Sequence, residues 1–267
     1  MGVLVVRVAA EEAESCSDWL WQLGATAIQD ETHREDPCLV AGFASDDSAL
    51  GARSVLQERW ACRLEDTGDE SAWRDRWLAF LEPVVVAGLT VHAPWHDPTQ
   101  LTSPRISIDP GRAFGSGHHP TTQLALEALQ QHVDTTASVL DAGCGTGILS
   151  IAAATFGARR VMGIDLDHDI IEVAAANVDA NQLGRRVEIT ETPLDQVDER
   201  FDIVVANIVV GELAPLMPAL AEATDGLVII SGWLAPQLDP LLADVDVRVV
   251  AQSTRDGWGC ATLQPAL

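Results

Sequence analysis

Apolar positions follow two rhythms along the chain. Some form short apolar runs, and others recur three and four residues apart over longer stretches. From Ser138 onward the two rhythms alternate. Runs that predict strands fall at Ser138–Asp141, Arg160–Asp165, Val187–Glu191, Phe201–Ile208 and Leu227–Ser231. Helical spacing fills Gly147–Phe156, His168–Gln182 and Glu212–Ala223 between them. Strands alternating with helices predict an α/β fold with a doubly wound, mostly parallel sheet. The end of the chain differs, because Val245–Thr254 and Gly259–Gln264 read as two strands around the turn Arg255-Asp256-Gly257.

The first 65 residues have another organisation. Val3–Val8 and Leu39–Phe43 predict strands, and Glu11–Leu23 and Ser48–Trp60 predict helices, which fits a small α+β domain of βαββα type over 1–65. Residues 66–82 are rich in charge, yet Trp73, Trp77, Phe80 and Leu81 share one helical face, as expected of an interdomain helix packed on its neighbours. The main domain is then 83–267. It opens with short strands at Val84–Ala87 and Thr90–Ala93, a Pro-rich break over Pro94–Pro104, and a helix over Gln123–Gln131.

Chemistry concentrates where strands of the main domain end. In V-L-D-A-G-C-G-T-G, Val139–Gly147, a buried strand runs into a glycine turn and then a helix. Gly143, Gly145 and Gly147 let the backbone approach a ligand that faces the helix N-terminus. A dinucleotide fingerprint read from Gly143 needs glycine where Ile148 stands, and read from Gly145 it meets Ser150. The G-x-G-x-G spacing after an acidic residue instead resembles the first motif of S-adenosylmethionine methyltransferases. On the turn alone, a nucleotide site and a purely structural turn stay open. Asp165 closes the next strand, where a carboxylate can accept hydrogen bonds from ribose hydroxyls; Asp167 is better placed to cap the following helix. Asn207 closes the strand V-V-A-N, at the edge where open α/β sheets bind ligands. An asparagine carbonyl there can accept a hydrogen bond from an amine and aim its lone pair at a methyl donor.

Upstream, I-D-P-G-R-A-F-G-S-G-H-H-P-T-T, Ile108–Thr122, is similar to the D-P-G-x-A-F-G-T-G-x-H-P-T-T signature of the bacterial methyltransferases that modify ribosomal protein L11, the PrmA family. Ser116 stands where that family usually has threonine. The resemblance runs from the Trp73–Trp95 region to Trp258 and is weakest before Glu65. It implies a seven-stranded class I methyltransferase sheet whose last strand is antiparallel, with S-adenosylmethionine as cofactor. It also implies that Thr122, Gly143, Asp165 and Asn207 contact the cofactor or the reacting centre, and that Phe114, Gly115 and Gly117 belong to a loop over it. Asn207 is the candidate catalytic residue. The sequence has Asn207-Ile208-Val209-Val210 rather than the N-P-P-Y of amide and base methylation, which points away from glutamine as target. The implied substrate is amino groups of ribosomal protein L11, held by the N-terminal domain. A protein-lysine methyltransferase with another substrate and a non-catalytic cofactor-binding module are the alternatives.

Composition narrows the partners. Acidic residues number 40 against 16 basic ones, all of the latter arginine, for a formal net charge of −24. Such a field repels nucleic acid and attracts basic proteins, although an acidic or salt-adapted proteome explains it equally well. The five cysteines are scattered without a C-x-x-C pair, and the adjacent His118 and His119 lack a third ligand at a familiar spacing, so no metal is expected. No apolar run reaches membrane-spanning length, and the first residues do not read as a signal peptide, so the expected location is cytoplasmic.

Overall fold

A computed structural model describes residues 2–9, 12–30, 36–43, 45–65, 82–102, 104–111 and 113–266. The interdomain helix expected at 66–82 lies, apart from Glu82, outside the described residues. The chain divides into two compact units, Met1–Glu82 and Pro83–Leu267.

In the first unit β1 (Gly2–Arg7), α1 (Ala13–Gln22), β2 (Ala25–Asp30), β3 (Cys38–Phe43), α2 (Asp46–Leu56) and β4 (Ala61–Glu65) follow in order. The strands form an antiparallel sheet in the order β2-β3-β1-β4. This is the βαββαβ arrangement, with one strand more than the βαββα type predicts, and β2 fills the strand of that type to which the pattern gave no residues. The addition is β4, A-C-R-L-E, which is exposed or half-buried throughout and so carries no apolar alternation. Helix α2 begins two residues before the predicted Ser48, because Ser45 caps it by accepting the Ser48 N–H at 3.1 Å, with Asp46 and Asp47 in the first turn. Leu4, Val6, Leu20, Leu39, Phe43 and Leu56 form the core of the unit.

The second unit holds the seven-stranded sheet. Strands β8 (Ser138–Ala142), β9 (Arg160–Ile164), β10 (Val187–Thr190), β11 (Phe201–Asn207), β12 (Thr224–Leu234), β13 (Val247–Arg255) and β14 (Trp258–Pro265) lie in the order β10-β9-β8-β11-β12-β14-β13. All pairs are parallel except those of β14, which runs antiparallel to β12 and β13, as the sequence led us to expect. Successive strand residues point to opposite faces and both faces are covered. Val139, Ile203, Val205 and Ile229 join one apolar cluster, while Leu140, Val204, Ala206 and Ile230 join another. The first cluster contains residues of α3 (Pro120–His132), α4 (Ile148–Phe156) and α5 (His168–Ala180). The second contains residues of α6 (Val210–Glu222) and α7 (Leu238–Leu242).

A small sheet, β5 (Val84–Val86), β6 (Leu89–His92) and β7 (Arg105–Ser107), precedes this domain sheet in sequence. Strand β7 follows the Pro-rich break, and at three residues it is too short to show a period. Among the described residues no helix is long and apolar enough to cross a membrane. The topology fixes where a ligand belongs. The chain leaves β8 through β9 to β10 and returns to β11 on the other flank of β8, so the order reverses between β8 and β11.

Candidate functional site

At that reversal the glycine turn hangs on the end of β9, where the N–H groups of Gly143 and Cys144 both donate to the Ile164 carbonyl at 2.9 Å. The next amide, Gly145 N–H, donates to Asp165 Oδ2 at 3.1 Å, while Asp165 Oδ1 accepts from Leu166 N–H at 2.8 Å and Asp167 N–H at 3.3 Å. Backbone donors thus hold the carboxylate in place. An ionised carboxylate has about four lone-pair positions, so Oδ2 retains one for a ligand hydroxyl. Asp167 caps α5 by accepting the Asp169 N–H at 2.9 Å, which leaves Asp165 at the strand end.

The three glycines do different work. Gly143 is exposed and presents bare backbone. Gly145 needs its φ of +55°, and a Cβ there would meet the Phe114 carbonyl oxygen at 2.5 Å, so only glycine permits the turn. Gly147 is buried at the α4 N-cap with a φ of +78°, the left-handed region that favours glycine, and a Cβ there would be in ordinary contact with Ala174 at 3.4 Å.

The segment before α3 folds against this turn. Thr146 donates its N–H to the Phe114 carbonyl at 3.0 Å and its hydroxyl to the Gly115 carbonyl at 2.8 Å. A Cβ on Gly115 would meet Thr146 Oγ1 at 2.6 Å, and one on Gly117 would meet Val91 at 3.1 Å. The α3 cap is His119; its Nδ1 accepts the Thr121 N–H at 3.2 Å, with Pro120 following in the first turn. The His119 ring stacks edge-on between Phe114, 5.4 Å away, and Trp258, 5.0 Å away. Burial pushes its pKa down to about 4, so the ring is neutral at ordinary pH. Helix α3 also carries Gln123, whose amide donates to the carbonyls of Gly117 and His118 while its oxygen accepts from Arg255 of the closing hairpin at 2.7 Å.

Asn207 ends β11 half-buried, and its Nδ2 donates to Thr122 Oγ1 at 3.3 Å. Thr122 is fully buried and therefore faces Asn207 rather than solvent. Ile208 N–H bonds the Ser231 carbonyl at 3.1 Å, which pins the backbone just beyond Asn207 to β12.

Nine positions expected from sequence thus gather on one edge of the sheet, but in two roles. Gly143, Gly145, Asp165, Asn207 and Phe114 have accessible surface, whereas Gly115, Gly117, Thr122 and Gly147 are buried and shape the backbone behind them. Sequence reasoning missed Thr146, which sits inside the glycine motif but shows its function only through Phe114 and Gly115. It also passed over Leu166, a large apolar side chain 74% exposed beside Asp165. The acidic residue of the motif, Asp141, is fully buried and accepts from Ser150 N–H at 2.9 Å and Ser150 Oγ at 2.7 Å. Burial pushes its carboxyl up to about 7, against the lowering effect of the Ser150 donors and with a further upward push from Asp165. Burial likewise pushes the Cys144 thiol up, so it offers no thiolate.

Exposed backbone at Gly143, a strand-end carboxylate at Asp165 and the exposed apolar Leu166 are groups that can meet a nucleoside carrying a charged tail. S-adenosylmethionine fits this donor set. A protein-family model described as ribosomal protein L11 methyltransferase (PrmA) matches residues 3–265. A ribosomal protein L11 methyltransferase of Sorangium cellulosum (strain So ce56) is 36% identical over 259 residues, 90% of this chain and 81% of the relative. One of Colwellia psychrerythraea (strain 34H / ATCC BAA-681) is 34% identical over 263 residues, 88% of this chain and 89% of the relative. A crystal structure of a ribosomal protein L11 methylase from Lactobacillus delbrueckii subsp. bulgaricus matches with a TM-score of 0.61 at 31% identity, over 66% of this chain and 94% of that one. With the motifs, the strand order and a match along nearly its whole length in agreement, the chain belongs to the ribosomal protein L11 methyltransferase (PrmA) family.

Proposed function

We propose that this S-adenosylmethionine-dependent methyltransferase transfers methyl groups to amino groups of ribosomal protein L11, on lysine side chains, the N-terminal amine or both. The observation that carries the reading is the amide of Asn207, held at the sheet reversal by Thr122 on the same edge as the glycine turn and Asp165. In this reading Gly143 and Gly145 line the cofactor's tail, Asp165 accepts its ribose hydroxyls, and Phe114 closes over it. Gly115, Gly117, Gly147 and Thr122 hold those groups in place. When bound, S-adenosylmethionine supplies a methyl group activated by a sulfonium.

Asn207 orients the acceptor. Its Nδ2 is engaged by Thr122, so Oδ1 is the edge that accepts an N–H from the incoming amine and fixes the lone-pair direction. A lysine ammonium of pKa about 10.4 must first lose a proton. His119 does not take it, because its Nδ1 already accepts the helix-capping N–H and its ring is buried. Solvent water can accept it. We assign residues 1–65 to holding the protein substrate, residues 66–82 to joining the two units, and the cytoplasm as the site of action. The charge of −24 suits a basic partner.

Incubation with labelled S-adenosylmethionine and ribosomal extract from a strain lacking the enzyme tests the reading. A single labelled band at the position of L11 is expected. Label on a different protein would reassign the substrate, and cofactor binding without label on any protein would make the chain a binding module.

A further inference from the structure

Strand β7 lies at the edge of the small sheet, and α5 with its C-cap residue Asn181 supplies partners for the open side of this segment. The backbone of this segment alternates. On the β6 side, Thr90 N–H donates to the Pro104 carbonyl at 2.9 Å and Ile108 N–H donates to the His92 carbonyl at 2.8 Å. On the other side, Ser107 and Asp109 meet two asparagine side chains instead of a strand. Asn181 Oδ1 accepts Ser107 N–H at 2.9 Å and its Nδ2 donates to the Ser107 carbonyl at 2.7 Å. Asn177 does the same for Asp109, with both bonds at 2.9 Å. The spacing explains the match. Four helical residues rise about 6 Å, and two residues of an extended chain advance about 6.6 Å, so amides at i and i+4 can read alternate peptides.

Asn177 has one more donor, and it goes to the Thr146 carbonyl at 2.9 Å. The residue is buried, and its amide makes three hydrogen bonds to backbone groups. Through it the start of the Asp109–Gly117 segment and the glycine turn are tied to one side chain. Thr146 then ties the other end of that segment, through Phe114 and Gly115. Asn177 and Thr146 thus form a node that holds this strap at Asp109 and again at Phe114 and Gly115.

We propose that Asn177 is a positioning residue for the cofactor site: its amide, acting with Thr146, presets Asp109 and Phe114–Gly115 against the glycine turn, so that cofactor binding does not have to order them. The inference rests on the S-adenosylmethionine reading of that site. A preset strap contributes to affinity by removing an ordering cost, and its loss falls on binding more than on turnover of the bound complex.

Asn177→Asp tests this with little change in shape. The carboxylate still accepts from Asp109 N–H but can donate to neither carbonyl, and it leaves those of Asp109 and Thr146 facing an anion. Calorimetry on the full chain should show the Kd for S-adenosylmethionine rising about tenfold or more, with kcat at saturating cofactor falling far less. Thr146→Val should weaken binding in the same direction by deleting the hydroxyl that holds Gly115, while Thr146→Ser restores it. The threonine pair keeps the test open if Asn177→Asp does not fold. A Kd within about twofold of wild type per folded molecule in whichever of Asn177→Asp and Thr146→Val fold, with only the melting temperature lowered, would overturn the proposal. Wild-type protein that binds no S-adenosylmethionine would instead overturn the reading of the site.

Discussion

At Asn207 one side chain has two jobs, and each leaves a different trace. If its Oδ1 orients the amine, Asn207→Ala lowers the single-turnover rate about a hundredfold or more, while the cofactor Kd changes much less. If it serves only to tie β11 to Thr122, the variant loses about 1 to 3 kcal/mol of stability with near-normal turnover per folded molecule. Rapid-quench kinetics and thermal unfolding on the same preparation separate these outcomes. Asp141 gives a second test at this scale. Its folded pKa of about 7 stands above the unfolded value of about 3.9, so the unfolded chain releases the proton first as pH rises. Stability from this residue is present at low pH and declines between about pH 4 and 7. His119 acts the other way over part of that window, because its depressed pKa makes the unfolded chain the stronger proton binder between about 4 and 6.5. The measurement is therefore a comparison of wild type with Asp141→Asn, which still accepts from Ser150. The variant's melting temperature should gain on the wild type from pH 5 to pH 7, and a constant gap would show that Asp141 is not protonated in the fold.

Among elements, the glycine turn is the part whose geometry tolerates least change. Gly145→Ala adds a Cβ 2.5 Å from the Phe114 carbonyl oxygen at a φ of +55°, so either the turn or the Phe114 strap must move. We expect cofactor affinity to drop about tenfold or more, with most of the stability kept, since the turn lies at the sheet edge rather than in the core. Parallel calorimetry and thermal melts read this, and an unchanged Kd would remove the turn from the cofactor site. The motif could be read from sequence because a buried strand, alternating glycines and a helix start are all local. Its coupling to Phe114, some thirty residues earlier, could not, because hydrogen bonds to a carbonyl carry no preference for the residue that owns it.

For the whole molecule, the division at Glu82 and Pro83 separates the methyl-transfer chemistry from the part we assign to holding the substrate. Residues 83–267 include every proposed cofactor group and both apolar clusters of the seven-stranded sheet. Expressed alone, they should bind S-adenosylmethionine with near wild-type affinity and lose methylation of L11. Calorimetry and the labelling assay on the same fragment decide it, and full L11 methylation would move substrate recognition into the second unit.

The sequence by itself determined the sheet, its strand-end carboxylate, amide and glycines, and the family, because period-2 and period-3.6 patterns and short motifs are local properties of a chain. It also separated Asp167 as helix cap from Asp165. It did not determine β4 or β7, whose residues are too exposed or too few to show a period. Nor did it separate the exposed Gly143 from the buried Gly147, since spacing is blind to what lies opposite. Tertiary structure alone decided that Thr122 stands behind Asn207 and that Asn181 and Asn177 serve as partners for Ser107 and Asp109 at the β7 edge. These are contacts between residues up to 85 positions apart, and they exist only once the sheet has brought its strand ends to one edge.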